Sequence, residues 1–146
     1  MMEDLYAEFL LGLHGFNSEE RYEALLNETF LNDPNNSFLL EPEACSHDFR
    51  STKGCFMRYW GDSCAGINAD TFGKRLFAGL ESVYNANAFS IADFGKHCTL
   101  LWQDIPSELA QTEPFWTLCY ADDALSWGDE VQTRTLYEKA FSFYND

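Results

Sequence analysis

Apolar side chains in this chain return at steps of three and four residues, the repeat of a helix that hides one face from water. Tyr6, Phe9, Leu10 and Leu13 form the first such stripe, and Gly15 is placed to end it. Asn17 or Ser18 can cap a second helix, with Glu20 and Arg21 in its first turn and Tyr22, Leu25, Leu26 and Phe30 on its apolar face. The run Asn32-Asp33-Pro34-Asn35-Asn36 stops it. So short a connection predicts an antiparallel helical hairpin over residues 3–31. Further on, Asp70 reads as the cap of a helix carrying Phe72, Leu76, Leu80 and Val83 and ending at Asn85-Ala86-Asn87. Ser90 and Asp93 resemble a capping box ahead of Ile91, Phe94, Cys98, Leu101 and Ile105, a stripe that Pro106 halts. Asp129 can cap a last helix bearing Tyr137, Ala140, Phe141 and Tyr144.

Between residues 37 and 68 the period is lost. Pro42, Gly54, Gly61 and Gly66 punctuate an irregular segment whose strand-like piece is 55–60. Residues 115–120 fit either a buried strand or the start of a helix reaching Trp127, because a short apolar run has no readable period. The expectation is a mainly α protein: a single compact domain over 1–146, with five or six helices, a small β element at 55–60 or 115–120, and its second helical part over 70–146. Thirteen Phe, seven Tyr and four Trp in 146 residues supply ample apolar area for one core.

Charge restricts the partners of such a domain. Residues 1–49 hold eleven acids against Arg21, residues 97–133 hold seven acids and no Lys or Arg, and the chain carries a net charge of −15. This field repels phosphate backbones and anionic lipid and attracts basic surfaces, so the expected partner is a basic protein, with no direct nucleic acid contact and no membrane. The one basic stretch, with Arg50, Lys53, Arg58, Lys74 and Arg75, either neutralises its own neighbours or forms a separate contact point. Glu3 and Asp4 stand where a secretory signal carries Lys or Arg, and the apolar stretch 9–13 is too short to span a bilayer, which suggests a cytoplasmic protein. The odd set Cys45, Cys55, Cys64, Cys98 and Cys119 fits reduced thiols there.

Several short motifs resemble catalytic or repeat signatures. Tyr120-Ala121-Asp122-Asp123 is similar to the reverse transcriptase tetrapeptide whose adjacent carboxylates help hold magnesium. The absence of any Lys or Arg between Lys96 and Arg134 leaves no cleft for a template, so the two aspartates read as solvated carboxylates or a helix start. Gly61-Asp62-Ser63 resembles the nucleophile signature of trypsin-like proteases, but Cys64-Ala65 follows where that family has glycines, and a local turn accounts for it. Ala124-Leu125-Ser126-Trp127-Gly128-Asp129, followed by Tyr137-Glu138-Lys139-Ala140, resembles half of one tetratricopeptide unit; a helical hairpin explains the same letters. Cys45, His47, Cys55, Cys64 and the pair His97-Cys98 are zinc-ligand types without zinc spacing, and no cofactor fingerprint is present.

The leading functional expectation is a small acidic protein-binding module: an inhibitor or nucleic-acid-mimicking decoy of a basic partner, in the manner of immunity proteins, antitoxins and phage-encoded anti-CRISPR blockers. Glu113, Asp122, Asp123, Asp129 and Glu130 would replace phosphates, while Trp116, Tyr120 and Trp127 would supply the desolvated centre. Two other classes compete. One is a small enzyme using Cys64 with His97 or His47, or a carboxylate, although no nucleophile and base can be paired from the sequence. The other is an adaptor or assembly subunit with an exposed apolar helix face.

Overall fold

A helix apolar on one face needs a single neighbour; a helix apolar all round must be enclosed. In the computed structural model, which describes residues 2–35, 49–60 and 66–144, α1 (Met2–Leu13) is of the second kind, with Met2 and every residue from Leu5 to Leu11 buried. Its neighbours are α2 (Glu19–Asn32), α3 (Phe49–Trp60) and α4 (Ala69–Asn85). The chain continues through α5 (Ile91–Trp102), two single turns α6 (Ser107–Ala110) and α7 (Thr117–Tyr120), a 3-10 segment (Ala121–Trp127) and α8 (Glu130–Ser142). This is a mainly α fold, and the described residues contain no strand.

The expected stops are made by backbone geometry. Gly15 adopts a left-handed φ of 84°, and the Phe16 amide donates to the Leu11 carbonyl at 2.8 Å, closing α1 so that α2 folds back against it. Ser90 accepts from the Asp93 amide and Asp129 from the Gln132 amide, as their positions before apolar stripes suggested. At α4 the cap is Asn68, whose side chain accepts from the Thr71 amide, and Asp70 lies in the first turn instead. Asn68 has the extended backbone that a cap requires, and its own amide donates to Glu3 of α1 at 2.9 Å.

Two expectations are corrected. Residues 55–60 are helical, and the supposedly irregular stretch 37–68 contains α3; Thr52, Cys55 and Phe56 face inward at helical spacing, with Trp60 packed against the core. Aromatic and small residues there imitate a strand because the stripe spans only two turns. Residues 115–120 form no strand either: Phe115, Leu118, Ala121 and Ala124, all buried, recur at steps of three, which matches the three-residue turn of the 3-10 segment that follows. The alternative reading, a helix continuing to Trp127, is the one realised.

Aromatic rings bind these elements. Tyr6 touches Phe56 at 5.0 Å, Trp60 at 5.8 Å and Phe72 at 5.8 Å, joining α1 to α3 and α4. Phe94 meets Tyr137 edge-on at 5.0 Å and Tyr84 at 5.5 Å, joining α5 to α8 and α4.

Within this apolar body Glu8 is only 3% exposed. Its carboxylate receives Arg75 Nε at 3.0 Å and Asn17 Nδ2 at 3.1 Å, while Arg21 approaches to 3.9 Å. Removing one partner of such a pair strands the other charge, whereas removing both leaves an ordinary core. Arg75→Met is expected to lower stability in urea by about 2–4 kcal/mol, and adding Glu8→Met to recover part of that loss. A double variant weaker than the single one would contradict this account.

Candidate protein-binding surface

The eight residues singled out from the sequence divide by fate. Glu113, Trp116 and Tyr120 converge, because the turn at 113–116 and α7 place them on one side at helical spacing. Glu113 accepts from the Thr117 hydroxyl through one carboxylate oxygen and from the Tyr120 hydroxyl, at 3.2 Å, through the other. Trp116 lies 6.5 Å from the Tyr120 ring and edge-on to Trp102 at 5.8 Å. The Trp102 indole donates to the Ala110 carbonyl at 2.9 Å, so this ring is fixed from behind while Trp116 remains 39% exposed. Asp123 and Trp127 are exposed on the 3-10 segment, Trp127 to 64%.

The other three are engaged locally. Asp129 is the α8 cap, and Glu130 pairs with Arg134 at 2.9 Å one turn along the same helix. Asp122 turns inward, and its Cβ would lie 2.7 Å from a methyl group placed on Gly95. Burial raises its carboxyl above the ordinary value near 3.8, with repulsion from Asp123 adding to the shift and a bond to its own backbone opposing it. Behind it lie Cys98 and Tyr137, both fully buried. Burial first, then the Asp122 charge, pushes the Cys98 thiol well above its usual range, while Tyr137 interacts with it in the opposite sense. The Tyr137 hydroxyl is pushed up as well, by burial and then by Cys98 and Asp122.

A groove of about 290 Å³ opens between residues 113–120 and α8. Glu113, Thr117 and Tyr120 line one side; Leu136, Lys139, Ala140 and Phe143 line the other. Sequence reasoning missed the α8 side, although the spacing of Glu113, Thr117 and Tyr120 at i, i+4 and i+7 marks its first wall.

Basic residues are drawn toward acids of the other segments. Lys53 of α3 reaches Asp104 Oδ1 at 2.8 Å, while His14 Nε2 lies 2.7 Å from Oδ2. The Asp104 carbonyl accepts from the Tyr6 hydroxyl at 2.9 Å. With Arg75 on Glu8, two members of the basic stretch thus neutralise acids of both acidic tracts. Among possible catalytic groups, His97 donates from Nδ1 to the His14 carbonyl at 2.9 Å and packs on Phe89 at 4.6 Å. The half-buried Cys119 thiol is raised by burial and by Asp123 and Asp122, the reverse of what a nucleophile needs. Cys45, His47 and Cys64 lie outside the described residues. Among those described, Cys98 and Cys119 are free thiols, no group of three His, Cys, Asp or Glu side chains is arranged to hold a metal, and no helix is long and apolar enough to cross a membrane.

Because the folded state raises the Asp122 pKa, its ionisation opposes folding. That group costs nothing below the ordinary carboxylate value, disfavours the fold increasingly as pH climbs from there to the raised one, and costs a constant amount above it. Asp122→Asn is therefore expected to melt higher than the parent at pH 7, with the two curves converging toward pH 4. A gap that is constant with pH would refute this. Gly95→Ala, ordinarily favourable inside a helix, should here cost about 1–3 kcal/mol in chemical unfolding, since the added methyl meets the Asp122 Cβ.

Comparison of the chain with family models, curated proteins and solved structures returned no match.

Proposed function

We propose that this protein acts by binding a basic protein through an acidic, aromatic surface built around residues 113–130, as an inhibitor or decoy that occupies a cleft made for a polyanion. The observation that carries the reading is a surplus of surface carboxylate beside outward-facing tryptophan. Nine Lys and Arg against twenty-four Asp and Glu leave an excess of fifteen negative charges that no internal pairing can cancel. Arg75 and Lys53 are committed to Glu8 and Asp104, and Arg134 to Glu130. Glu108, Glu113, Asp123 and Glu138 are exposed in the half of the chain that also exposes Trp116 and Trp127.

Two physical terms support such a role. Long-range attraction between the −15 body and a cationic surface speeds encounter, and this term weakens with salt. Indole rings supply short-range affinity, because a rigid aromatic side chain buries a large area at small entropic cost. Asp122 and Asp129, turned to internal work, drop out of the contact set.

With the purified protein as bait, capture from a lysate is expected to retain a protein of high isoelectric point at low salt and release it at high salt. A bait carrying Glu108→Lys, Glu113→Lys and Asp123→Lys should retain much less, with slower association in a surface binding assay. Equal capture by the triple variant, or direct retention of DNA, RNA or anionic vesicles by the parent protein, would end this reading.

A further inference from the structure

Resting on that reading, we propose that the groove between residues 113–120 and α8 receives an arginine side chain of the basic partner, its guanidinium on Glu113 and its stem along the α8 wall. Each Glu113 oxygen already holds one donor, Thr117 on one and Tyr120 on the other, so the carboxylate is fixed in orientation. Each oxygen keeps a second lone pair. A planar pair of acceptors held in place is what a guanidinium fork binds through two parallel bonds, while an ammonium makes a point contact with no use for that geometry.

The rest of the groove suits the same guest. Tyr120 and Phe143, the latter half exposed just past the end of α8, give the groove two aromatic walls against which a cation can rest. Leu136 and Ala140 give an apolar floor for the three methylenes of an arginine stem. Lys139 is the discordant wall residue. Its ammonium disfavours any cation nearby, so its removal provides a test that general attraction to an acidic protein does not mimic.

The probes are two short peptides alternating Gly with Arg or Gly with Lys, titrated into 15N-labelled protein at fixed ionic strength. The arginine peptide should shift the amides of Glu113, Thr117, Tyr120 and Phe143 and bind about fivefold or more tightly than the lysine peptide. Glu113→Gln should abolish that preference, whereas Glu108→Gln, the same charge change outside the groove, should leave it. Lys139→Gln should strengthen arginine binding more than Lys74→Gln does. Equal affinity for both peptides, or equal effects of the paired variants, overturns the arginine pocket and leaves the broader electrostatic reading standing. Failure of both peptides to bind removes the two together. Self-association that Phe143→Ser abolishes would assign the groove to a second copy of the chain and also overturn the proposal.

Discussion

Enclosure of α1 on every side is the constraint from which the rest follows. A twelve-residue helix with eight buried positions cannot be satisfied by one partner, so α2, α3 and α4 must surround it. Burial of apolar surface is worth about 25 cal/mol per Å² removed from water, and α1 places Leu5, Tyr6, Phe9, Leu10 and Leu11 in the core together. It also dictates where polarity is allowed. Glu8 sits on the central helix with Arg75 and Asn17 brought to it from α4 and the α1–α2 turn, and Tyr6 sends its hydroxyl out to the Asp104 carbonyl. Both of these groups find partners far along the chain, which fixes the register of α4 and the end of α5 against α1.

The same arrangement explains how so acidic a chain tolerates its own charge. Two members of the basic stretch are turned to acids, Arg75 to Glu8 of the first acidic tract and Lys53 to Asp104 of the second, where partial burial strengthens each pair. Apart from Asp122, the other described carboxylates are exposed or partly exposed, and there screening limits repulsion between them. Interior neutralisation and exterior excess are thus two sides of one partition.

How much of this was legible in the letters depends on period. Stripes such as Ile91, Phe94, Cys98 and Leu101 persist over about three turns, and the caps Ser90 and Asp129 stand beside such stripes, so those helices were readable. α3 was not, because its inward stripe of Thr52, Cys55 and Phe56 is brief and mixed with aromatic and small residues that also suit a strand. The Asn68 cap was hidden by Asp70, an equally good capping type two residues on, and only the backbone conformation separates them. For the binding surface, residue type pointed to Glu113, Trp116 and Tyr120 together, which the fold joins. Local sequence could not say that Asp122 turns toward Gly95, since that depends on the 3-10 segment crossing α5. Nor could it bring Phe143 and Leu136 opposite Tyr120, a contact that belongs to tertiary packing.

The 3-10 segment has weaker internal bonding than an α-helix of equal length, so its shape is imposed from outside. Thr133 of α8 donates to the Ala121 carbonyl at 2.8 Å, Ala121 and Ala124 pack beneath, and the Asp129 amide closes the far end on the Ala124 carbonyl. Only one edge of the segment is thereby moored, and the outward edge bearing Asp123, Ser126 and Trp127 contributes little to cohesion. Selection can rewrite that rim letter by letter, retuning whom the molecule recognises while its scaffold stays intact.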